Sequence, residues 1–396
     1  MGENRGRTDE AEDQVGAVAR RGPAGTATGA ALAGTLAPPA ARAVPGPRQE
    51  LTPAARSAMA KGVPYETRRG YSGDWARFEQ WATSTGHCPM PATAETLTEY
   101  ATWCTLTPRP RTGQPYKPAT IDRALAAVAV AHRTTGHTPP DQTGARLVLR
   151  GYTDQLKRAK DPCGRVRKAA AATPRVLRRL VAATDTTTVR GLRDTVALTT
   201  GFALAARSSE AALLSWEDIT EADDDQGLLY DLYRPKVTGD QPLGVPYGSY
   251  PSTCPVRALQ AYREALLDRG HTPTGPLLVR IDRHDRINPP MHRHGEPIGD
   301  PTGRMTPEGV AEIVTRAAAR AGLTGRPDHV LPDGTARWTG HALRRGYAEA
   351  TRHAKKDPLE AARHGGWADG SRAFAGYHDR AGAFDEELNP LYGIGL

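Results

Sequence analysis

The chain has 396 residues, 38% hydrophobic and 24% charged, which is enough for two domains and a tail at the usual ~100–200 residues per domain. No run reaches the ~18–20 apolar residues that span a bilayer, and ATGAALAGTLA lacks a charged lead directly before a strongly apolar core, so neither a membrane span nor a signal peptide is expected. A net charge of +8 and a pI near 9.4 suit a polyanionic partner, while four widely spaced cysteines (Cys88, Cys104, Cys163, Cys254) without a CxxC pair argue against a disulfide framework and for a reducing cytoplasm.

Residues 1–50 are Gly, Ala, Pro and Arg with almost no large apolar side chains, so they read as a disordered tail. A passive tail is the favoured reading over one that brushes DNA through Arg5, Arg7, Arg20 and Arg21. From 51 to 162 the periodicity is helical. Tyr71, Trp75, Phe78 and Trp81 recur three or four apart before a stop near Gly86, and Leu97, Tyr100 and Cys104 do the same. Ile121, Leu125, Val128 and His132 form a stripe behind Pro118 at a first turn, defining a helix over 119–133. TGARLVLRGYTDQLKRAK supplies another helix, with Arg150, Lys157 and Arg158 off its apolar face.

Residues 163–174 read as an interdomain linker, basic through Arg165, Arg167 and Lys168 and bracketed by prolines at 162 and 174. A second domain, 175–396, follows. PRVLRRLVAAT and GLRDTVALTTGFALAARSSEAALLSW read as helices, GLLYDLYRPKVTG as a β-favouring run ended by Gly239, and 255–269 and 307–322 as helices again. Residues 280–305 form a long Arg-, His-, Pro- and Gly-rich loop, and from Trp338 onward the pattern is helical apart from turns.

Four local features carry candidate chemistry. Arg207 and Glu210 lie three apart at a break in a helical run, which alone describes an ordinary ion pair. Lys236, one of only eight lysines, sits in the turn expected after the strand within the β-favouring run. His341 and Arg344 in TGHALRRG project from one helix face. HGGWADGSRAFAGYHD sets Trp367 ten residues before Tyr377. Singly, each pattern suits a core or surface residue as well as a site.

In order, with 29 positions from Arg207 to Lys236 and 26 from His341 to Trp367, the set resembles the tyrosine recombinases, the phage-integrase family, and within it the Cre type. The resemblance spans about residues 60–396 and rests on ALAARSSEAALLSWEDI, RWTGHALRRGYA, AARHGGWADGSRAFAGYHD and YKPATIDRALAAVAVAHRTTG. It implies a mainly α protein, a helical core-binding domain plus an α+β catalytic domain with a small antiparallel sheet, closing on DNA as a C-shaped clamp. It also implies site-specific recombination through a 3′-phosphotyrosine intermediate.

On that resemblance Tyr377 is the nucleophile, Arg207 and Arg344 bind the scissile phosphate, and His341 is the base and a further donor. Lys236 protonates the leaving 5′-oxygen, Glu210 orients a neighbour, and Trp367 is an N–H donor where most relatives carry a second His. A phenol with a pKa of about 10 is a poor nucleophile at neutral pH, and guanidiniums match phosphate oxygens. His364 is the rival for the Trp367 role, and Tyr392 for that of Tyr377. The spacing from Trp367 to Tyr377 is one residue longer than the family's, with the extra residue assigned to the 368–371 turn.

No cofactor or metal is expected; a zinc reading of His284, His292 and His294 is disfavoured because no cysteine is near. Lys117, Thr120 and Arg123 are the candidate DNA contacts of a major-groove helix. The resemblance further implies a homotetramer on two sites, from a free chain that is monomeric, with accessory directionality proteins in reach. It leaves the 384–396 tail to dock on a neighbour or on its own domain. A type IB topoisomerase-like or telomere-resolving enzyme, or a non-catalytic DNA-binding relative, are the alternatives.

Overall fold

The computed structural model describes residues 65–381 apart from 111, 165–168, 235–241 and 324–337, together with Thr52, Ala54, Ala55, Ala58, Gly62 and Leu391. The 1–50 tail, the basic linker residues, Lys236, Tyr392 and the 384–396 tail apart from Leu391 lie outside the described residues. The backbone divides into two units, 1–91 with 126–139 and 92–125 with 140–396. No described helix is long and apolar enough to cross a membrane.

In the first unit, helix α1 (Tyr65–Ser84) buries Phe78, Trp81 and Ala82 and stops where Gly86 turns left-handed at φ +77°. Its Asp74 is buried and pairs with Arg77 at 3.1 Å. Trp75 meets the ring of His132 edge-on at 6.2 Å.

The second unit begins with α2 (Ala94–Leu106), capped by the Thr93 side chain accepting from Thr96 N. Leu97, Tyr100 and Cys104 are buried, and α2 packs on α4 (Thr143–Arg158). Between them in sequence runs α3 (Pro118–Thr134), whose Ile121, Leu125, Val128 and His132 stripe is buried. The Tyr152 hydroxyl donates to Tyr116 O at 3.0 Å and ties α4 to the segment before α3.

The helices that follow are α5 (Pro174–Ala182), α6 (Val189–Ala203) and α7 (Ser208–Leu213). The helical run breaks next to Arg207, as its sequence suggests, where Ala205 adopts φ +47° between α6 and α7. Strands β1 (Ile219–Glu221), β2 (Gly227–Tyr230) and β3 (Leu243–Pro246) make an antiparallel sheet in that order, with Leu228 opposite Val245. The β-favouring run ends earlier than its composition suggests, at Tyr230. Asp231 N donates to Asp218 O in the register of the β1–β2 pair, and beyond it Tyr233 is exposed.

Helix α8 (Pro255–Asp268) then packs on α6. The long loop closes at its neck, where Arg280 N donates to Gly303 O at 2.8 Å and Met305 N to Leu278 O at 3.0 Å. It carries a short hairpin, β4 (His292–Arg293) with β5 (Glu296–Pro297). Asp285 accepts from Val189 N and Arg190 N, so the loop caps the α6 N-terminus. Arg304 donates to the carbonyls of Ala212, Leu213 and Leu214, capping the end of α7.

The remaining elements are α9 (Pro307–Arg320), α10 (His341–His353), α11 (Pro358–His364) and α12 (Arg372–Ala381). Helix α10 meets the end of the expected linker closely: Ala172 N donates to Ala342 O at 2.9 Å, and Arg345 donates to Ala169 O. A Cβ on Gly346 would collide with the Ala172 backbone carbonyl. Gly346→Ala is therefore expected to lower the thermal midpoint by several degrees. Overpacking costs about 1–3 kcal/mol, against a gain of only about 1 kcal/mol from alanine's helix propensity. Calorimetry checks this; an unchanged midpoint would show that the 169–172 segment yields freely.

Candidate active site

The break between α6 and α7 builds one wall of the site. Arg207 is the N-cap of α7, and its backbone N–H donates to Glu210 Oε2 at 2.9 Å while its Nη1 pairs with Glu210 Oε1. The carboxylate is buried and the guanidinium is partly exposed, so Glu210 holds Arg207 at the edge of the cleft with donors still facing solvent. The pattern that resembles a surface ion pair is thus a buried carboxylate steering a partly exposed cation.

Arg344, on the second turn of α10, is buried. Its Nη1 donates to Ala205 O at 2.6 Å and Gly365 O at 2.5 Å, and its Nη2 reaches Gly366 O at 3.4 Å. Its guanidinium lies 3.6 Å from the centre of the Trp367 ring, stacked on the indole face. Its Nε–H has no protein partner among the described residues. Burial, and then the charge of Arg207, push Arg344 below the usual arginine range, with Glu210 partly offsetting them.

Trp367 follows the Gly365–Gly366 turn, where Gly366 takes φ +64°. A Cβ on Gly365 would run into the indole, which is why the ring can fold back over this turn. The indole packs at 5.0 Å on Phe374 of α12 and lies among Ala205, Ala348, Ala361 and Ala362, with Tyr347 and Tyr377 against the same cluster. No described protein group accepts from its Nε1–H. The ring is therefore a platform for Arg344 and α12 as well as a donor.

His364 is placed differently. Its Nε2 donates to Ala203 O at 2.8 Å, and its ring stacks on Tyr347 at 5.3 Å, so it is committed to packing. The 368–371 turn is closed by Ser371 N donating to Ala368 O at 3.0 Å and by Gly370 at φ +71°. Tyr377 follows on α12, half-buried and within the electrostatic reach of Arg344.

His341 opens α10 with an exposed imidazole that makes no hydrogen bond to the described residues. Desolvation by its surroundings, then Arg344 and Arg207, lower its pKa, and Glu210 offsets part of that. The shift favours the neutral imidazole, the form that can accept a proton. In the DNA-free protein we expect His341 to titrate below the ordinary 6.5. Arg207→Ala should raise its midpoint, because a cation opposing imidazolium is removed. NMR titration of the imidazole C–H resonances reads both, and a wild-type midpoint at or above that value would sink the expectation.

Arg207, Glu210, His341, Arg344, Trp367 and Tyr377 thus converge within one unit, whereas Lys236 lies outside the described residues. Lys117 precedes α3, Thr120 and Arg123 lie in its first two turns, and Arg123 is exposed. Sequence reading missed Arg234, which is buried 3.8 Å from Glu210. The only signal for it was its place two residues before Lys236, in the run already singled out.

A curated relative, the integrase/recombinase xerD homolog of Selenomonas ruminantium, is 25% identical over 316 residues, covering 78% of this chain and 81% of its own. The chain is thus similar to an integrase/recombinase over most of its length. That match does not distinguish the Cre type. No family model matches the chain. Among solved structures, a lambda integrase dimer bound to a COC′ core site is similar at a TM-score of 0.47, with 13% identity over 82% of this chain and 92% of that one. The Tn1549 transposon integrase in complex with transposon right end DNA is similar at 0.47, with 15% identity over 81% and 95%.

Proposed function

We propose that the protein is a site-specific DNA recombinase that cleaves and rejoins strands through a 3′-phosphotyrosine. The observation that carries this reading is the clustering of Arg207, His341 and Arg344, with Arg344 stacked on the Trp367 ring that Tyr377 also packs against. The Tyr377 oxygen attacks the scissile phosphorus while His341 takes the phenolic proton, and the bond to the 5′-oxygen breaks. Arg207 and Arg344 stabilise the charge that grows on the non-bridging oxygens, the kind of preorganised term worth roughly 3–4 kcal/mol per donor. Glu210 aims Arg207, and Trp367 offers its N–H to a phosphate oxygen while its face carries Arg344. Lys236 protonates the leaving oxygen. Because the bond energy stays in the phosphotyrosine, rejoining needs no ATP, and the proposed chemistry calls on no metal.

Residues 51–162 act as the helical DNA-binding domain, 163–174 as linker and 175–396 as catalytic domain, with Lys117, Thr120 and Arg123 on the DNA side of α3. Four protomers join two sites. The test uses a duplex site enriched from random sequence by binding, nicked beside the scissile phosphate so that rejoining fails. A covalent adduct with a free 5′-hydroxyl is expected. Two-site substrates then yield exchanged strands; relaxation of supercoils without exchange would favour a topoisomerase.

A further inference from the structure

Arg234 has no place in the chemistry above, yet it reaches three segments of the site. Its Nη2 donates to Leu204 O at 2.5 Å and its Nη1 to His364 O at 2.7 Å. Its Nε lies 3.8 Å from Glu210 Oε2, and only 6% of the side chain is exposed. A Cβ on Gly366 would come within 2.7 Å of its Cδ and Nη1, so the glycine leaves the room that Arg234 fills.

The pairing with Arg344 is systematic. Arg344 takes the carbonyls of Ala205 and Gly365, and Arg234 takes those one residue earlier on the same two turns. The two turns are more than 150 positions apart in sequence, and two guanidiniums staple them at consecutive carbonyls. Lysine could not replace this: its donors diverge from one nitrogen, whereas a guanidinium spreads them across a rigid fork.

We propose that Arg234 is a positioning residue for phosphoryl transfer. It fixes the two turns whose carbonyls orient Arg344 and the carboxylate that orients Arg207, without touching DNA. This rests on the reading of Arg207 and Arg344 as the phosphate clamp.

The test measures adduct formation by Arg234→Lys and Arg234→Gln on the nicked site, carrying either the normal phosphodiester or a neutral methylphosphonate at the scissile position. A neutral phosphorus centre develops one less negative charge and depends less on aimed guanidiniums. On the phosphodiester we expect a loss of about a hundredfold, the size of effect that small misplacements produce. On the methylphosphonate the loss should shrink to about tenfold or less, with DNA affinity and its salt dependence unchanged. Unfolding midpoints identify a variant that fails to fold, leaving the other to decide.

Full activity in both variants, or equal loss on both substrates, overturns the proposal. So does a drop of about one in the salt slope, which would mean a direct phosphate contact. Arg207→Ala separates the layers. Relief on the methylphosphonate there but not in the Arg234 variants overturns the Arg234 role alone. No relief in Arg207→Ala overturns the clamp reading beneath it.

Discussion

Tyr377→Phe is expected to form no covalent adduct with a nicked DNA site while binding that site within about twofold of the unaltered chain. The substitution removes one oxygen and keeps the ring that packs with Trp367 and Phe374, so α12 stays in place. Stability should move by no more than about 0.5 kcal/mol, as for other changes away from buried networks. The readouts are a denaturing gel for the adduct and mass spectrometry of the DNA-linked peptide. An adduct that persists in Tyr377→Phe would discard this nucleophile and turn attention to Tyr392.

Arg344→Ala is expected to lower the rate of adduct formation by about a thousandfold or more, and Arg344→Lys to recover little of it. One guanidinium performs several tasks. On the proposed function it stabilises the transferring phosphoryl group, a donor effect of roughly 10²–10³. It also holds Ala205 and Gly365 through their carbonyls and rests on the Trp367 face. Removing it leaves buried carbonyls without donors, at about 1–3 kcal/mol each, so the thermal midpoint should fall too. A lysine restores charge but not the fork. Single-turnover rates at saturating protein, alongside unfolding midpoints, separate the two effects; a rate within tenfold of the unaltered chain would remove Arg344 from the chemistry.

The helices were legible because burial follows period: the stripe at Ile121, Leu125, Val128 and His132 is buried as its spacing requires. Stops were legible where glycine turns left-handed, as at Gly86. The break beside Arg207 was legible but its cause at Ala205 was not, since a non-glycine residue at positive φ leaves no mark in composition. Its carbonyl, which accepts from Arg344, was invisible for the same reason.

Within the site, side chains with a motif spacing were readable, whereas partners that are backbone atoms were not. The Trp367 N–H role came from chemistry and resemblance, but the indole face under Arg344 required the turn at Gly365–Gly366 to fold back. Arg234 stayed hidden because its three partners lie 24, 30 and 130 positions away, and no local pattern reports such distances. The 368–371 turn, to which the extra residue before Tyr377 is assigned from sequence, is closed by Ser371 N donating to Ala368 O.

The neck of the 280–303 loop has a practical meaning. Asp285 near its start and Arg304 just past its neck carry out the helix capping, while the hairpin between them, turning at Gly295, stands outside those duties. Lengthening a loop already closed at its base costs only about 0.6 kcal/mol per doubling. The 292–297 hairpin is thus a natural handle, where a label or a further module can be grafted without disturbing Arg207, Arg234 and Arg344.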